Sequence, residues 1–392
     1  MQQYKQTLQY VLDNGVMRGD RTGKGRHGVF SPPDEIYDLS QGFPLCTLRA
    51  IDPSAMIDEL LWFISGSTKL EDLASKFFWK KWTTTEADAK QYCEDNQIEL
   101  IQEHQLNLQS GDVSVGSTRT FYPEHIQKRI GTIGNLYGVS WRNAPGPVGI
   151  NLPVRNMCDL PKDLVQKFIP YGPDDKPTMS VDDLIEFLDR DHGDDVGQTE
   201  LKAAIRGAIL SAYWENFDQL NELVYKIKTT PASSRLRVTA YLTEYMAFEE
   251  FTPQQNVMDG RAALTACHTF FQCYVHPAKE EGGKGKLDLK LTLTSSDVPV
   301  GRVYNIAQYA MLTEMLAQVC GLEAGRLIIS TGDAHIYGDQ FDAVYTILAR
   351  DCKPLPKLVL NKEVTSIFEF KKEDIQIVDY DPHPAEKIPV AV

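Results

Sequence analysis

The spacing of apolar residues divides the chain into helical, extended and irregular stretches. Residues 1–13 carry apolar positions at helical intervals, and Gly15, Gly19, Gly23 and Gly25 then break the pattern into a loop. SAMIDELLWFISG (54–66) has strongly amphipathic helical spacing that stops at Gly66. Ser67 and Thr68 suit the cap of a second helix through LEDLASKFFWKKW from 70. From about 84 to 130 the sequence turns polar with weak periodicity, and from about 143 to 175 it is rich in Pro, Gly and Asn. SVDDLIEFL and TELKAAIRGAILSAYWENF frame an acidic loop. The segments 84–130 and 143–210 therefore read as polar insertions on one catalytic domain, 1–392.

After residue 231 extended patterns return. LRVTAYL, TFFQCYVHP and KLDLKLTLTSS alternate or run apolar with β-branched and aromatic residues, as strands do. NIAQYAMLTEMLAQVCG (305–321) predicts a long, nearly all-apolar helix, central and buried, ending at Gly321. RLIISTGDAHIY and KLVLN add strands, and the tail DPHPAEKIPVAV is Pro-broken and extended. Strands and helices interleave without a βαβ rhythm or a GxGxxG loop. The fold class is α+β and not a Rossmann fold.

Composition narrows the function. With 392 residues, 42% of them hydrophobic, the chain can bury a sizeable core. Its net charge of −14 disfavours broad binding to nucleic acid and leaves room for a local basic pocket for a small anion. No apolar run approaches the roughly 18 residues that cross a bilayer, and MQQYKQTLQYVLDNG reads as a polar amphipathic helix, not a signal peptide. The seven cysteines, at 46, 93, 158, 267, 273, 320 and 352, are scattered and lack a CxxC pair. They read as reduced thiols of a cytoplasmic protein, one of them free to act as a nucleophile.

Several residues suit chemistry, each with a plainer alternative. Cys267-His268 opens a strand; the pair is either a thiol nucleophile with a polar neighbour or a small buried residue beside a satisfied histidine. Glu59 lies among Ile57, Leu60 and Leu61, where burial would raise its pKa toward acid–base use; otherwise it faces solvent at the helix edge. Asn305 begins the apolar helix, as a reader of a planar ring or as an ordinary N-cap. His335 and Tyr337 project to one side of a strand, fit for sugar hydroxyls. Arg21-Thr22-Gly23-Lys24-Gly25 resembles an anion-binding loop but lacks the G-K-[ST] of a Walker motif. Trp79 and Trp82, three apart on the expected helix, share a face. The acidic run Asp189–Glu200 echoes a calcium loop, but its sixth position, a glycine in such loops, is Asp194; a solvated loop fits better.

The order of these signals along the chain is specific. RTGKG, FPLCTLR, DELLWFISGST, WKKW, YGVSW, CHTFFQ, SSDV, YNIAQYA, GDAHIY and YDPHPAEKIPVAV together resemble the thymidylate synthase family, whose larger group includes the phage pyrimidine hydroxymethylases. The likeness covers about 1–82, 133–142 and 213–392, and it implies a twisted mixed β-sheet with packed helices. It implies that Cys267 adds to C6 of a pyrimidine nucleotide, making C5 nucleophilic toward the one-carbon unit of 5,10-methylenetetrahydrofolate. Glu59 and His268 would shuttle protons, and Asn305 would bind N3–H and O4 of the ring. His335 and Tyr337 would hold the sugar, Ser295 and Arg21 the phosphate, and Tyr137 of YGVSW matches a further substrate position. Trp79, Trp82, Asp297, Gly301 and Tyr304 match folate positions, Arg49 a basic residue near the folate tail, and the final PVAV, ending at Val392, a segment that closes over the site. Asn305 in place of Asp favours uracil over cytosine.

Departures from the family pattern matter too. Leu293-Thr294-Ser295-Ser296-Asp297 stands where the family has Q-R-S-x-D, and Ser234-Arg235 where it has paired arginines donated across a homodimer. Two phosphate arginines are thus absent, with Arg237 and Arg302 the candidates to compensate. These departures, with the insertions, favour a phage-type dUMP hydroxymethylase of the host cytoplasm. The alternatives are a thymidylate synthase, which retention of both tryptophans favours, and an inert relative kept for binding. No nucleic-acid or membrane partner and no metal is expected.

Overall fold

A computed structural model describes residues 1–19, 23–76, 78–109, 112–144, 169, 177–189, 202, 205, 217–280 and 282–390. β1 (Val16–Arg18), β2 (Arg26–Phe30) and β3 (Glu35–Asp38) precede a separate hairpin of β4 (Ile101–Gln109) and β5 (Asp112–Phe121). β6 (Arg237–Thr239), β7 (His268–His276), β8 (Lys286–Asp297) and β9 (Glu323–Tyr337) follow, and β10 (Lys357–Leu360) pairs with β11 (Ile375–Val378). A seven-stranded sheet runs β1-β2-β9-β8-β7-β6, with β3 also on β9. Its ladders are antiparallel except β8 with β9, which is parallel. The class is α+β, as the sequence pattern implies, and the sheet is mixed, as the family resemblance implies. The chain divides into two compact units, Met1–Trp141 with Gln219–Val392, and Arg142–Asp218. In the second, Arg142 pairs with Asp218 at 2.7 Å and Ser180 caps the helix Val181–Asp189 through Asp183.

A parallel pair needs a long crossover, which here is the 19-residue helix Gly301–Val319. It is apolar on every side, so it is buried on every side: Val303, Ile306, Ala307, Ala310, Met311 and Met315 are all fully enclosed. The helix Pro53–Ser65 packs against it, capped at its start by Asp52 and stopped by Gly66 at φ 82°.

Two expectations about elements are corrected. The central helix begins at Gly301, so Asn305 lies within its second turn and is not an N-cap. The expected helix from 70 to 82 reduces to two single 3-10 turns, Leu70–Asp72 and Trp79–Lys81. Lys69 bridges Thr132, the Leu70 N–H donates to Gly131, and Leu73 is extended and buried. These long-range contacts hold the chain on an extended path after its first turn. The polar stretch 84–130 holds a capped helix, Glu86–Asp95, and the β4–β5 hairpin. Ala89, Cys93 and Ile126 from this stretch form a small core with Met258. The acidic loop beyond Asp189 lies outside the described residues.

Arg302 does not supply a phosphate ligand. It is fully enclosed, with Nε 3.6 Å from Glu35 Oε1 and Nη2 donating to Thr331 Oγ1 at 2.5 Å. Glu35 also accepts from Tyr37 at 2.5 Å. The pair fastens the first turn of the central helix to β3 and β9. Arg302→Met would leave Glu35 buried without its counter-charge and should cost about 3–5 kcal/mol in urea unfolding. Adding Glu35→Met should recover most of that loss; a double variant no better than the single one would show that the pair is not the source of the cost.

Candidate active site

The site grows from one irregularity in the sheet. The β7–β8 register shifts between His268 and Phe270, a bulge that re-aims the residues at the start of β7. Cys267 stands just before it. The Cys267 carbonyl accepts the Thr294 N–H at 3.0 Å, and the Cys267 N–H donates to the Tyr137 hydroxyl at 3.0 Å. The hydroxyl also receives the His268 N–H at 3.4 Å, and the two rings stack at 4.2 Å. The thiol keeps an exposed surface, yet protein crowds its remaining sides, and that desolvation pushes its pKa up. Thr294, across the ladder, is exposed, and its hydroxyl reaches the carbonyls of Ala266 at 3.5 Å and Cys267 at 3.4 Å.

The central helix supplies the next layer. Asn305, Gln308 and Tyr309 share one face because they are three and four residues apart. Asn305 Nδ2 donates to His268 Nε2 at 3.1 Å, which places the imidazole proton on Nδ1, toward the Tyr309 hydroxyl at 3.4 Å. Burial drops the His268 pKa to about 3, so the ring is neutral. Glu59 projects inward from the Pro53–Ser65 helix and does not face solvent. Trp79 Nε1 and Gln308 Nε2 each donate to one of its oxygens at 2.5 Å, and desolvation raises its pKa despite both bonds. Trp79 in turn meets Trp82 edge-on at 5.5 Å, though from a single turn rather than a helix face.

The β8–β9 pairing builds the opposite wall. Its register sets Ser295 beside Asp333 and Asp297 beside His335. His335 is buried, Nδ1 lies 2.8 Å from Asp333 Oδ1, and its ring meets Tyr337 edge-on at 5.0 Å. Asp297 accepts from the Val300 N–H at 3.2 Å and Gln340 Nε2 at 3.1 Å; desolvation raises its pKa to about 6. Arg49 is buried, donates through Nη2 to the Pro299 carbonyl at 2.9 Å, and leaves Nε without a partner. Tyr304 packs edge-on against Phe78 at 5.3 Å, and a Cβ added at Gly301 would point into open space.

Cys267, His268, Asn305, Tyr137 and Glu59 therefore meet through direct contacts or one shared partner, and so do Asp297, His335 and Tyr337. Arg235 is exposed just before β6, and Arg237 is exposed on it. Arg21 and Val392 lie outside the described residues. Sequence reading missed Gln308, Tyr309 and Gln340. The first two carry a usable signal, polar groups three and four residues beyond Asn305 in an otherwise apolar helix.

A thiol beside a neutral histidine–amide pair, with a desolvated carboxylate held by the same helix that carries the amide, suits enzymes that add sulfur to an electron-poor ring and then move protons on it. The family model described as Thymidylate synthase matches residues 2–392, and the chain belongs to the thymidylate synthase family. It is thus a one-carbon transferase of the family that acts on dUMP with methylenetetrahydrofolate as co-substrate. The donor set fits a folate: an aromatic wall, a carboxylate for ring N–H groups and a buried arginine with an unused N–H. Among the described residues no helix is long and apolar enough to cross a membrane, and no cluster of His, Cys, Asp and Glu could hold a metal.

The His268 shift has a measurable sign. Its folded pKa is about 3 against 6.5 for the free ring. Protons therefore bind the unfolded chain first, so the stability this group contributes is complete above about pH 6.5 and falls as pH drops toward 3. Between pH 7 and 4.5 the wild type should lose about 2–3 kcal/mol more unfolding free energy than His268→Gln. Parallel loss in the two proteins would mean that the ring already carries charge in the fold.

Proposed function

We propose that this chain is a dUMP hydroxymethyltransferase, a cytoplasmic homodimer whose catalytic domain, 1–392, carries the insertions 84–130 and 143–210. Cys267 sulfur bonds to C6 of the uracil, and the electron pair of the C5–C6 double bond moves toward C5 and O4. Asn305, its amide nitrogen held by His268, offers its carbonyl oxygen to N3–H. Glu59 moves protons at O4 and C5 through ordered water, and its desolvation suits that work because a carboxyl with a raised pKa is proton-loaded for part of the cycle. His335 and Tyr337 hold the sugar hydroxyl. Ser295 and Arg21, with Arg235 of the partner subunit, meet the phosphate. The folate supplies one carbon at the methylene level, held against Trp79, Trp82, Tyr304, Gly301, Asp297 and Arg49, with Val392 closing the site. After C5 bonds to that carbon and loses its proton, tetrahydrofolate leaves. Water adds to the exocyclic methylene, and the cysteine departs from C6.

What carries this reading is the polar, open edge of the nucleophile. Cys267 and Thr294 are both exposed, and the Thr294 hydroxyl lies 3.4 Å from the Cys267 backbone carbonyl, a polar edge on the residue that carries the sulfur. Water therefore has a polar approach to the ring. One observation favours a second outcome, reduction to the methyl group as in a synthase: Trp79 is nearly enclosed, pinned to Glu59 and packed on Trp82, a wall that keeps water away from the folate side.

Product analysis separates the two. With dUMP and methylenetetrahydrofolate, a nucleotide gaining CH2OH while tetrahydrofolate leaves unoxidised is expected. A methyl product with stoichiometric dihydrofolate would make the chain a synthase. Glu59→Gln should lower kcat by about 10²–10⁴-fold while dUMP still binds; a rate near that of the wild type would remove Glu59 from proton transfer. Mixed subunits carrying Arg235→Ala and Cys267→Ala should regain activity that neither has alone. Inactive heterodimers would count against a site shared between subunits.

A further inference from the structure

Gln340 occupies the N-cap of the helix Phe341–Leu348, where a short Ser, Thr, Asp or Asn would bind the free N–H groups of the first turn. It makes no such bond. Its side chain turns inward and is fully enclosed. Nε2 donates to Asp297 Oδ2 at 3.1 Å and to the Pro389 carbonyl at 2.9 Å, while Oε1 accepts the Tyr337 N–H at 2.9 Å. A carboxamide has two N–H groups, and both are used. One side chain thus joins the end of β8, the end of β9 and the C-terminal tail.

The tail has other anchors upstream. The Tyr380 hydroxyl donates to the Cys46 carbonyl at 2.7 Å, and the His383 N–H donates to the Thr47 carbonyl at 2.9 Å. Arg350 donates to the Pro384 carbonyl at 3.0 Å and pairs with Glu386 at 2.8 Å. These bonds fasten the stretch 380–386 to the buried segment Cys46–Thr47 and to Arg350. The bond at Pro389 is different in kind, because its donor also holds a carboxylate of the site.

We propose that Gln340 is a positioning residue that couples the docking of the C-terminal tail at Pro389 to the orientation of the Asp297 carboxylate. The inference rests on reading Asp297 as a folate ligand. The amide can serve both acceptors only while Asp297 keeps Oδ2 turned toward it, which leaves Oδ1 for the Val300 N–H and an incoming donor. A folate ring N–H that fixes this carboxylate fixes the amide, and through it the tail. By reciprocity a docked tail favours folate binding by the same factor. A Ser or Asp at position 340 would cap the helix well but could not span both acceptors, which accounts for a long amide at a position that otherwise suits a short side chain.

Two readouts test this in the full-length protein. Gln340→Leu keeps the volume and removes all three hydrogen bonds; Gln340→Glu keeps the acceptor for the Tyr337 N–H but sets a carboxylate against Asp297 and the Pro389 carbonyl. Hydrogen exchange of the peptide 384–390, followed by mass spectrometry without substrates, should quicken about tenfold in either variant that folds. The KM for methylenetetrahydrofolate should rise about tenfold, with the KM for dUMP unchanged within about twofold. Unchanged tail exchange overturns the clasp, whatever the activity. Faster exchange with an unaltered folate KM in an active enzyme overturns the coupling. A wild type inert toward dUMP and folate would defeat the reading of the site, while exchange would still decide whether Gln340 holds the tail.

Discussion

The parallel pairing of β8 with β9 is the constraint on which the rest of this structure depends. Two adjacent parallel strands need a crossover, and the shortest one that also covers the sheet is a helix lying on its face. The helix Gly301–Val319 meets that need and is apolar all round because it is surrounded. Its first turns emerge beside the ends of both strands. Asn305 therefore faces the bulge at His268, while Asp297 and His335 sit side by side on the strands the helix connects. The chemistry collects where the topology brings strand ends and a helix start together.

Desolvation is the electrostatic theme of the site, and it acts in opposite senses on acids and bases. Burial raises Glu59, Asp297 and Cys267 and lowers His268, and for each of them it is the largest cause. The neutral histidine can then hold an amide without competing for a proton. Glu59, with two donors already bound, still prefers its proton more than an exposed carboxylate would. The thiol is the unusual member. Thr294 stands beside its backbone where the family pattern leads one to expect a cation, and among the described residues no positive charge offsets the cost of ionising the thiol.

The enclosed arginine illustrates how misleading residue type is without burial. Arg302 looks like a spare phosphate ligand in the sequence, yet it is sealed against Glu35, Tyr37 and Thr331 beneath the sheet. A charge so placed is weak evidence for stability and strong evidence for register, since few other partners would satisfy it. Its service is to hold the start of the helix that carries Asn305.

Much of the fold was legible because periodicity is a local property. The alternation in HTFFQCYVH and KLDLKLTLTSSD, the apolar run after Gly301 and the stop at Gly66 each follow from which residues can face a core. The ordered motifs were enough to name the family and to single out Cys267, Glu59, Asn305 and His335 as candidates. The helix start four residues before Asn305 was not legible, nor was the loss of helix between 70 and 82, where Lys69 and Leu70 take partners some sixty residues away and Leu73 turns extended into the core. Gln308 and Gln340 went unseen for a similar reason: an amide in a sequence carries no mark of whether it meets water or a buried carboxylate. Sequence determined which residues could do the chemistry. The protonation state of each, and which polar groups hold it in place, was decided only by the packing that excludes water around it.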